Sequence, residues 1–380
     1  MPATAPVRLV IIGCGSIAKG GYQPRCLAYP HLISLHGYFD QNRAAAEELR
    51  QIAGSGRVYA SVDEVLADPE VEAVLNLTTL GGHYPVTLAA LKAGKHAFSE
   101  KPISITSAEA DELIREAAQR KLKLGCAPSS SLGYEQQSVW VRIRAGEIGT
   151  PHTVLGSFAC SRLECWHANA DVFMTTGVSV AADATPYPLC VMTTYFGPIA
   201  RVFGFARNTV PERTLQTGPR KGTVFKPTIP DHVLGALEFA NGMKGMLYAG
   251  WSGQSEFPRL EIQGSEGAFS VHPHNDGMGI RLLSAKDHEI HTVPSPAKAF
   301  PKALDWGKGV ADFADAIRRD RRVRCSAEQA RHLVEIAERL NESSRTGMPV
   351  AVTSRFEAME PIGDVAPWEH SGGQAQAVGR

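Results

Sequence analysis

Residues 7–20 read VRLVIIGCGSIAKG. The apolar run Val7–Ile12 ends in Gly13, Gly15 and Ala18, spaced G-x-G-x-x-A, and a helical pattern begins at Ser16. Strand, glycine turn and helix in that order predict the start of a doubly wound parallel α/β sheet that binds a dinucleotide. Gly13 permits the tight turn, Gly15 lets the backbone approach a pyrophosphate, and the small Ala18 allows close helix–strand packing. Ser16 and Ile17 then open a helix whose amino end favours the phosphate charge. Alone this motif is weak; an acid ending the second strand gives it weight. That acid is Asp40, 25 positions after Gly15, at the close of LISLHGYFD. A carboxylate there accepts from the adenosine ribose hydroxyls and repels a 2′-phosphate, which favours NAD. Arg43 is placed to grip such a phosphate instead, so NADP stays open as the cofactor.

Outward from this stretch, short apolar runs alternate with amphipathic ones up to about residue 126. VEAVLNLTT (71–79) precedes HYPVTLAALKAG, with Gly94 as a helix stop, and KHAFSE precedes the capped SAEADELIREAAQRK. This is the pattern of a parallel sheet with helices on both faces. Residues 133–146 read as a linking helix. Beyond them the texture changes to longer strand-like runs, among them EFANGMKGMLYA, whose Asn-Gly pair between apolar runs signals a hairpin. Helical stretches are expected at 186–197, 307–320 and 326–347. The expected domains are therefore a Rossmann domain at 1–126 and a substrate-binding and oligomerisation domain at 127–360. The second is α/β on a large, mostly antiparallel sheet, and a flexible tail is expected at 361–380.

Length and charge narrow the function. A chain of 380 residues is large for one core. Lys plus Arg and Asp plus Glu both total 39, which argues against nucleic acid or an anionic membrane as partner. No apolar run reaches the roughly 18 residues that span a bilayer. Seven scattered cysteines without a CxxC pair suit a reduced, cytoplasmic setting, and no metal site is expected. His272-Pro273-His274 reads as an exposed loop, and RRDRRVR (318–324) as a solvated helix end.

The remaining signal is SEKPI at 99–103, where Pro102 restrains Lys101 to an extended backbone. Together with the G-x-G-x-x-A turn, NLTTLGGHYPVTLAALKAGKHAFSEKP and IRAGEIGTP, it resembles the glucose–fructose oxidoreductase / inositol dehydrogenase / MocA family along residues 7–355. The resemblance implies that Lys101, between Glu100 and Pro102, lies beside the nicotinamide and the hydroxyl being oxidised. It implies that Thr78 and Thr79 form a cofactor-contacting turn. His83, in the following helix, either contacts the cofactor or caps and packs. Glu100 is read as a positioning residue. A homodimer or homotetramer is also implied.

The family's second signature is D-x-G-x-H. Here the matching VAADATPYPL keeps Asp183 but puts Thr185 for glycine and Tyr187 for histidine. A phenol titrating near 10 donates a proton readily and accepts one poorly, so Tyr187 is either a substrate-binding or relay residue or simply packed. A subset of the family pairs this tyrosine with an upstream W-H-x-N, matched by Trp166, His167 and Asn169. Trp166 offers a face to a sugar ring and Asn169 a donor and an acceptor. His167 is the reserve acid/base. With the helix histidine gone, proton work falls first on Lys101, whose pKa burial and the nicotinamide charge are expected to lower.

The expected activity is NAD(P)-dependent hydride transfer at a secondary hydroxyl of a sugar, glycoside or cyclic polyol. Two competitors stand beside it. One is a redox-assisted glycosidase or lyase that recycles its NAD; the other is a non-catalytic sensor that binds a dinucleotide and a partner protein.

Overall fold

A computed structural model describes residues 5–175, 179–253, 259–294 and 304–362. The expected tail beyond residue 362 lies outside the described residues. Six strands form the first sheet: β1 Val7–Ile12, β2 Ile33–Phe39, β3 Arg57–Val58, β4 Ala73–Asn76, β5 His96–Ser99 and β6 Leu124–Cys126. Their order is β3-β2-β1-β4-β5-β6 and every pairing is parallel. The cause is visible in β1: Val7, Leu9, Val10 and Ile11 are fully buried, so both faces need cover, and helices supply it. Local chemistry closes the helices. The Asn42 side chain accepts from the Ala44 amide at the start of Arg43–Ala53, and Gly54 ends that helix at φ 71°. Thr106 and Glu109 cap Ser107–Gln119 reciprocally. Strand order reverses at β1, which opens a crevice at the carboxyl ends of β1, β4 and β5.

The second sheet has nine strands. In spatial order they are Ile290–Val293, Ile280–Ser284, Gly267–Val271, Leu260–Gly264, Pro151–Ala159, Lys244–Gly250, His232–Phe239, Ile199–Arg207 and Val350–Ala351. All pairings are antiparallel except Pro151–Ala159 with Lys244–Gly250. The expected hairpin turns at Asn241-Gly242, where Gly242 takes φ 88°. Its inner face, with Val154, Val202, Leu237, Leu247, Ile262 and Phe269, packs on the helices Pro186–Phe196 and Ala327–Thr346. The outer face is another matter: Phe205, Leu234 and Met246 are 60%, 44% and 60% exposed on three neighbouring strands.

The lobes interleave in sequence. Helix Trp306–Arg319 lies within the expected second segment, yet its Val310, Phe313 and Ala314 pack against Val7, Leu9 and Phe98 of the first sheet. Phe98 and Phe313 meet edge to face at 5.6 Å. The basic run at this helix end is less solvated than its composition predicts. Arg318 pairs with Glu72, while Arg321 and Arg324 both reach the buried Asp312, each ion pair at 2.7 Å. No helix among the described residues is long and apolar enough to cross a membrane.

Candidate active site

The glycine turn is built for close approach. Gly13 has φ 95°, and a Cβ there would lie 2.5 Å from the Leu77 carbonyl carbon and 2.6 Å from the Thr78 amide, so side chains are barred. Gly15 and Ser16 are exposed, Ile17 is half-buried, and a Cβ on Gly15 would meet nothing within 4 Å. No side chain caps the helical segment that follows, which takes π-type winding over Ala18–Tyr22. Asp40 is held at the rim: its carboxylate accepts from the Cys14 amide at 2.7 Å and the Asn42 amide at 2.8 Å. Arg43, the alternative phosphate partner, lies 3.6 Å from Glu47 on its own helix. A bare helix start, an open Gly15 and an oriented acid form a cradle that fits a dinucleotide.

The loop after β4 is fixed from below. Asn76 is fully buried and its amide donates to the His83 carbonyl at 2.9 Å and to Thr87 Oγ1 at 3.0 Å. Its carbonyl accepts from Thr78 Oγ1 at 2.7 Å. Thr78 is half-buried and Thr79 exposed, facing the crevice rim. His83 does not reach that rim. It is 4% exposed, with Nδ1 2.7 Å from the Pro102 carbonyl and Nε2 3.1 Å from the Thr78 carbonyl. Burial lowers its pKa. The ring thus ties the β4 loop to the Glu100-Lys101-Pro102 segment.

Glu100 turns inward. It accepts from Tyr22 Oη and from the Lys101 amide, both at 2.7 Å. Lys101, joined to Pro102 by a cis peptide, turns the other way. Its Nζ donates to the Asp183 carbonyl at 2.8 Å and to Asp183 Oδ1 at 2.7 Å. The second carboxylate oxygen accepts from the buried Trp251 indole at 3.1 Å. The Tyr187 ring centroid lies 4.9 Å from Nζ. Here burial acts on the lysine pKa as expected, but the protein's own charges oppose it. Burial does pull it down, but Asp183, then Tyr187 and Glu100, outweigh burial and hold the ammonium above the usual lysine range. Tyr187 itself is pushed up by burial, with Lys101 opposing, so the phenol is neutral.

Lys101, Asp183 and Tyr187 therefore converge, although they come from two lobes. Thr185 explains the local turn: its hydroxyl donates to the Ala181 carbonyl between the short helix Val180–Asp183 and Pro186–Phe196. Trp166, His167 and Asn169 form a neighbouring loop. Trp166 is 55% exposed with its indole N–H on the Ser161 carbonyl at 3.1 Å. His167 Nδ1 accepts from the Asn169 amide at 3.2 Å, and the ring packs on Phe173. Burial lowers its pKa, against the charges of Asp183 and Asp171. Asn169 Oδ1 is engaged by Arg220 at 3.1 Å.

Two neighbours were not legible beforehand. Phe158 stacks on Tyr187 at 4.7 Å, and His274 meets Tyr187 at 4.8 Å. His272-Pro273-His274 is thus no exposed loop: His272 is 8% exposed and the His274 ring sits against the candidate site. The outward–inward alternation along HTVLGSFA was the one clue to Phe158; nothing periodic marks His274.

Known proteins share this fold. Residues 7–127 match the oxidoreductase family with the NAD-binding Rossmann fold, GFO_IDH_MocA, and residues 137–270 match the GFO/IDH/MocA C-terminal domain. The chain is 26% identical over 221 residues to 1,5-anhydro-D-fructose reductase of Ensifer adhaerens, covering 57% of this chain and 61% of that one. It is 26% identical over 357 residues to dTDP-3,4-didehydro-2,6-dideoxy-alpha-D-glucose 3-reductase of Streptomyces violaceoruber, covering 87% and 97%. A structure of levoglucosan dehydrogenase with NADH and L-sorbose superposes with TM-score 0.77 at 20% identity, covering 92% and 99%. The chain belongs to the Gfo/Idh/MocA oxidoreductase family, and its first domain is that family's NAD-binding Rossmann fold.

Proposed function

We propose that the chain is an NAD(P)-dependent oxidoreductase acting on a secondary hydroxyl of a sugar, glycoside or cyclic polyol. The observation that carries this is the Lys101 ammonium, held 2.7 Å from Asp183 Oδ1 at the crevice where β5 ends. Asp183 fixes its direction and Tyr187 walls one side. A bound nicotinamide supplies the acceptor for the hydride that leaves the carbinol carbon. Lys101 meets the substrate oxygen. In the reducing direction the Lys101 ammonium gives that oxygen a proton; oxidation is the reverse and needs the amine form, which the positive charge of a bound nicotinamide would favour against Asp183. The neutral Tyr187 phenol is a second donor to the same oxygen. Asp40, Gly13 and Gly15 hold the dinucleotide, Thr78 and Thr79 line its rim, and Glu100 and His83 brace the lysine segment. Trp166, His167 and Asn169 flank the sugar. The relatives' names, which specify sugar reductases and a levoglucosan dehydrogenase, support this substrate class.

The test is a panel of levoglucosan, 1,5-anhydro sugars, aldoses and myo-inositol with NAD and NADP in parallel, followed by NADH or NADPH absorbance. Lys101→Ala is expected to lose at least about 100-fold in kcat, the usual scale for a proton-transfer group, with dinucleotide affinity intact. Turnover at the parental rate would remove the lysine from the reaction. Full substrate conversion on substoichiometric NAD would instead favour the lyase reading. We also propose a homo-oligomer built on the outer sheet face, where the apolar Phe205, Leu234 and Met246 stand exposed side by side.

A further inference from the structure

We infer that His274 contacts the substrate, its imidazole hydrogen-bonding a sugar hydroxyl beside Lys101 and Tyr187. The inference rests on the sugar-oxidoreductase reading and adds a residue that the family signature does not supply. Helix position 187 holds tyrosine where histidine is expected, and a histidine from the loop after strand Gly267–Val271 packs on that tyrosine. His274 meets Tyr187 at 4.8 Å and Phe158 at 5.0 Å.

The loop that presents it is anchored by buried polar groups. Asp276 accepts from the Glu135 amide at 2.9 Å and from Lys308 Nζ at 3.1 Å. Glu135 Oε1 accepts from the Gly279 amide at 3.0 Å, and Gln136 Nε2 donates to the His272 carbonyl at 2.7 Å. Glu135 and Gln136 are fully buried, and Lys308 and Asp276 nearly so. Buried charges are costly unless fully paired, so this set fixes the loop rather than decorating it. Inside the loop, His272 Nδ1 accepts from the His274 and Asn275 amides at 3.2 and 2.9 Å.

His274 Nδ1 itself is buried and meets no protein partner. An unsatisfied buried polar atom costs roughly 1–3 kcal/mol, and a phenylalanine would fill the same aromatic stack without that cost. Burial, then His272 and Lys101, keep the ring neutral. A neutral imidazole presents a hydroxyl with one ring nitrogen, donor or acceptor according to the tautomer, and a hydroxyl can answer either.

The experiment compares wild type, His274→Phe and His274→Asn on whichever panel sugar is oxidised and on its monodeoxy analogues, with NADH affinity read by fluorescence. Wild type is expected to penalise one deoxy position by about tenfold or more in kcat/KM. In His274→Phe that penalty should collapse toward unity while the others persist and NADH affinity holds. His274→Asn, which retains a donor and an acceptor, should restore part of it and also serves if the phenylalanine variant folds poorly. Unchanged penalties in both variants overturn the inference alone. No wild-type turnover on any panel sugar overturns the oxidoreductase reading and the inference with it.

Discussion

Replacing Asp183 by asparagine isolates the electrostatics of the site. The indole of Trp251 can keep donating to the asparagine carbonyl, as it does to Asp183 Oδ2 at 3.1 Å. The new amide N–H2 then faces Lys101 Nζ, where Oδ1 now lies at 2.7 Å. Two donors meet and the lysine charge has lost its partner. Removing one side of a buried ion pair costs about 3–5 kcal/mol. With the two side chains 12% and 21% exposed, and the Asp183 carbonyl still 2.8 Å from Nζ, the low end applies: about 3 kcal/mol. The sign with pH follows from the raised lysine pKa. Lys101 contributes stability that is fully present below its unfolded pKa, near 10.4, and is lost as pH rises through the higher folded value. The gap between wild type and Asp183→Asn should therefore be flat through neutral pH and narrow in strong alkali. Urea unfolding at pH 7 measures the gap. The double variant Lys101→Met/Asp183→Asn should be more stable than Asp183→Asn, because the stranded ammonium has gone. A single variant within about 0.5 kcal/mol of wild type, or a double variant less stable than the single, would refute the coupling.

Gly13→Ala places a Cβ 2.5 Å from the Leu77 carbonyl carbon at a φ of 95°, so NADH affinity measured by fluorescence titration should fall at least tenfold. Gly15→Ala meets no protein atom within 4 Å but puts a Cβ where the pyrophosphate approaches, so it should weaken NADH binding while leaving the urea midpoint of the protein alone unchanged. Phe205→Asp with Met246→Lys puts charge on the outer sheet face and should reduce the mass found by light scattering to that of one chain, with the far-ultraviolet spectrum unchanged. A wild type already monomeric at micromolar concentration would rule out the proposed assembly.

The first lobe was legible because its local rules agree with one another. Val7–Ile12 is apolar on both faces, the glycines follow at the right spacing, and Thr106 and Glu109 announce a helix before it begins. Lys101 and Asp183 were legible only through motif resemblance, since no local pattern tells that two residues 82 positions apart will meet. What could not be read is where several chain segments contribute charge to one point. The lysine pKa was expected to fall because burial and the nicotinamide charge were counted, while both the Asp183 carbonyl and its carboxylate turn toward the same nitrogen. The arginine run read as solvated because its partner Asp312 lies buried on the preceding helix, and only folding brings the two together. His274 escaped because a histidine–proline–histidine triplet in a loop has no face until the sheet behind it is in place.

The return of helix Trp306–Arg319 to the first sheet has a practical consequence. A fragment cut after residue 127 would look like a whole dinucleotide module by its motifs, yet it would bare Val7, Leu9 and Phe98 where Val310 and Phe313 now cover them. Such a piece should aggregate rather than bind nucleotide. Swapping cofactor modules between relatives requires carrying this distant segment along, and splicing at the apparent boundary would leave each half of the chimera with the wrong lining.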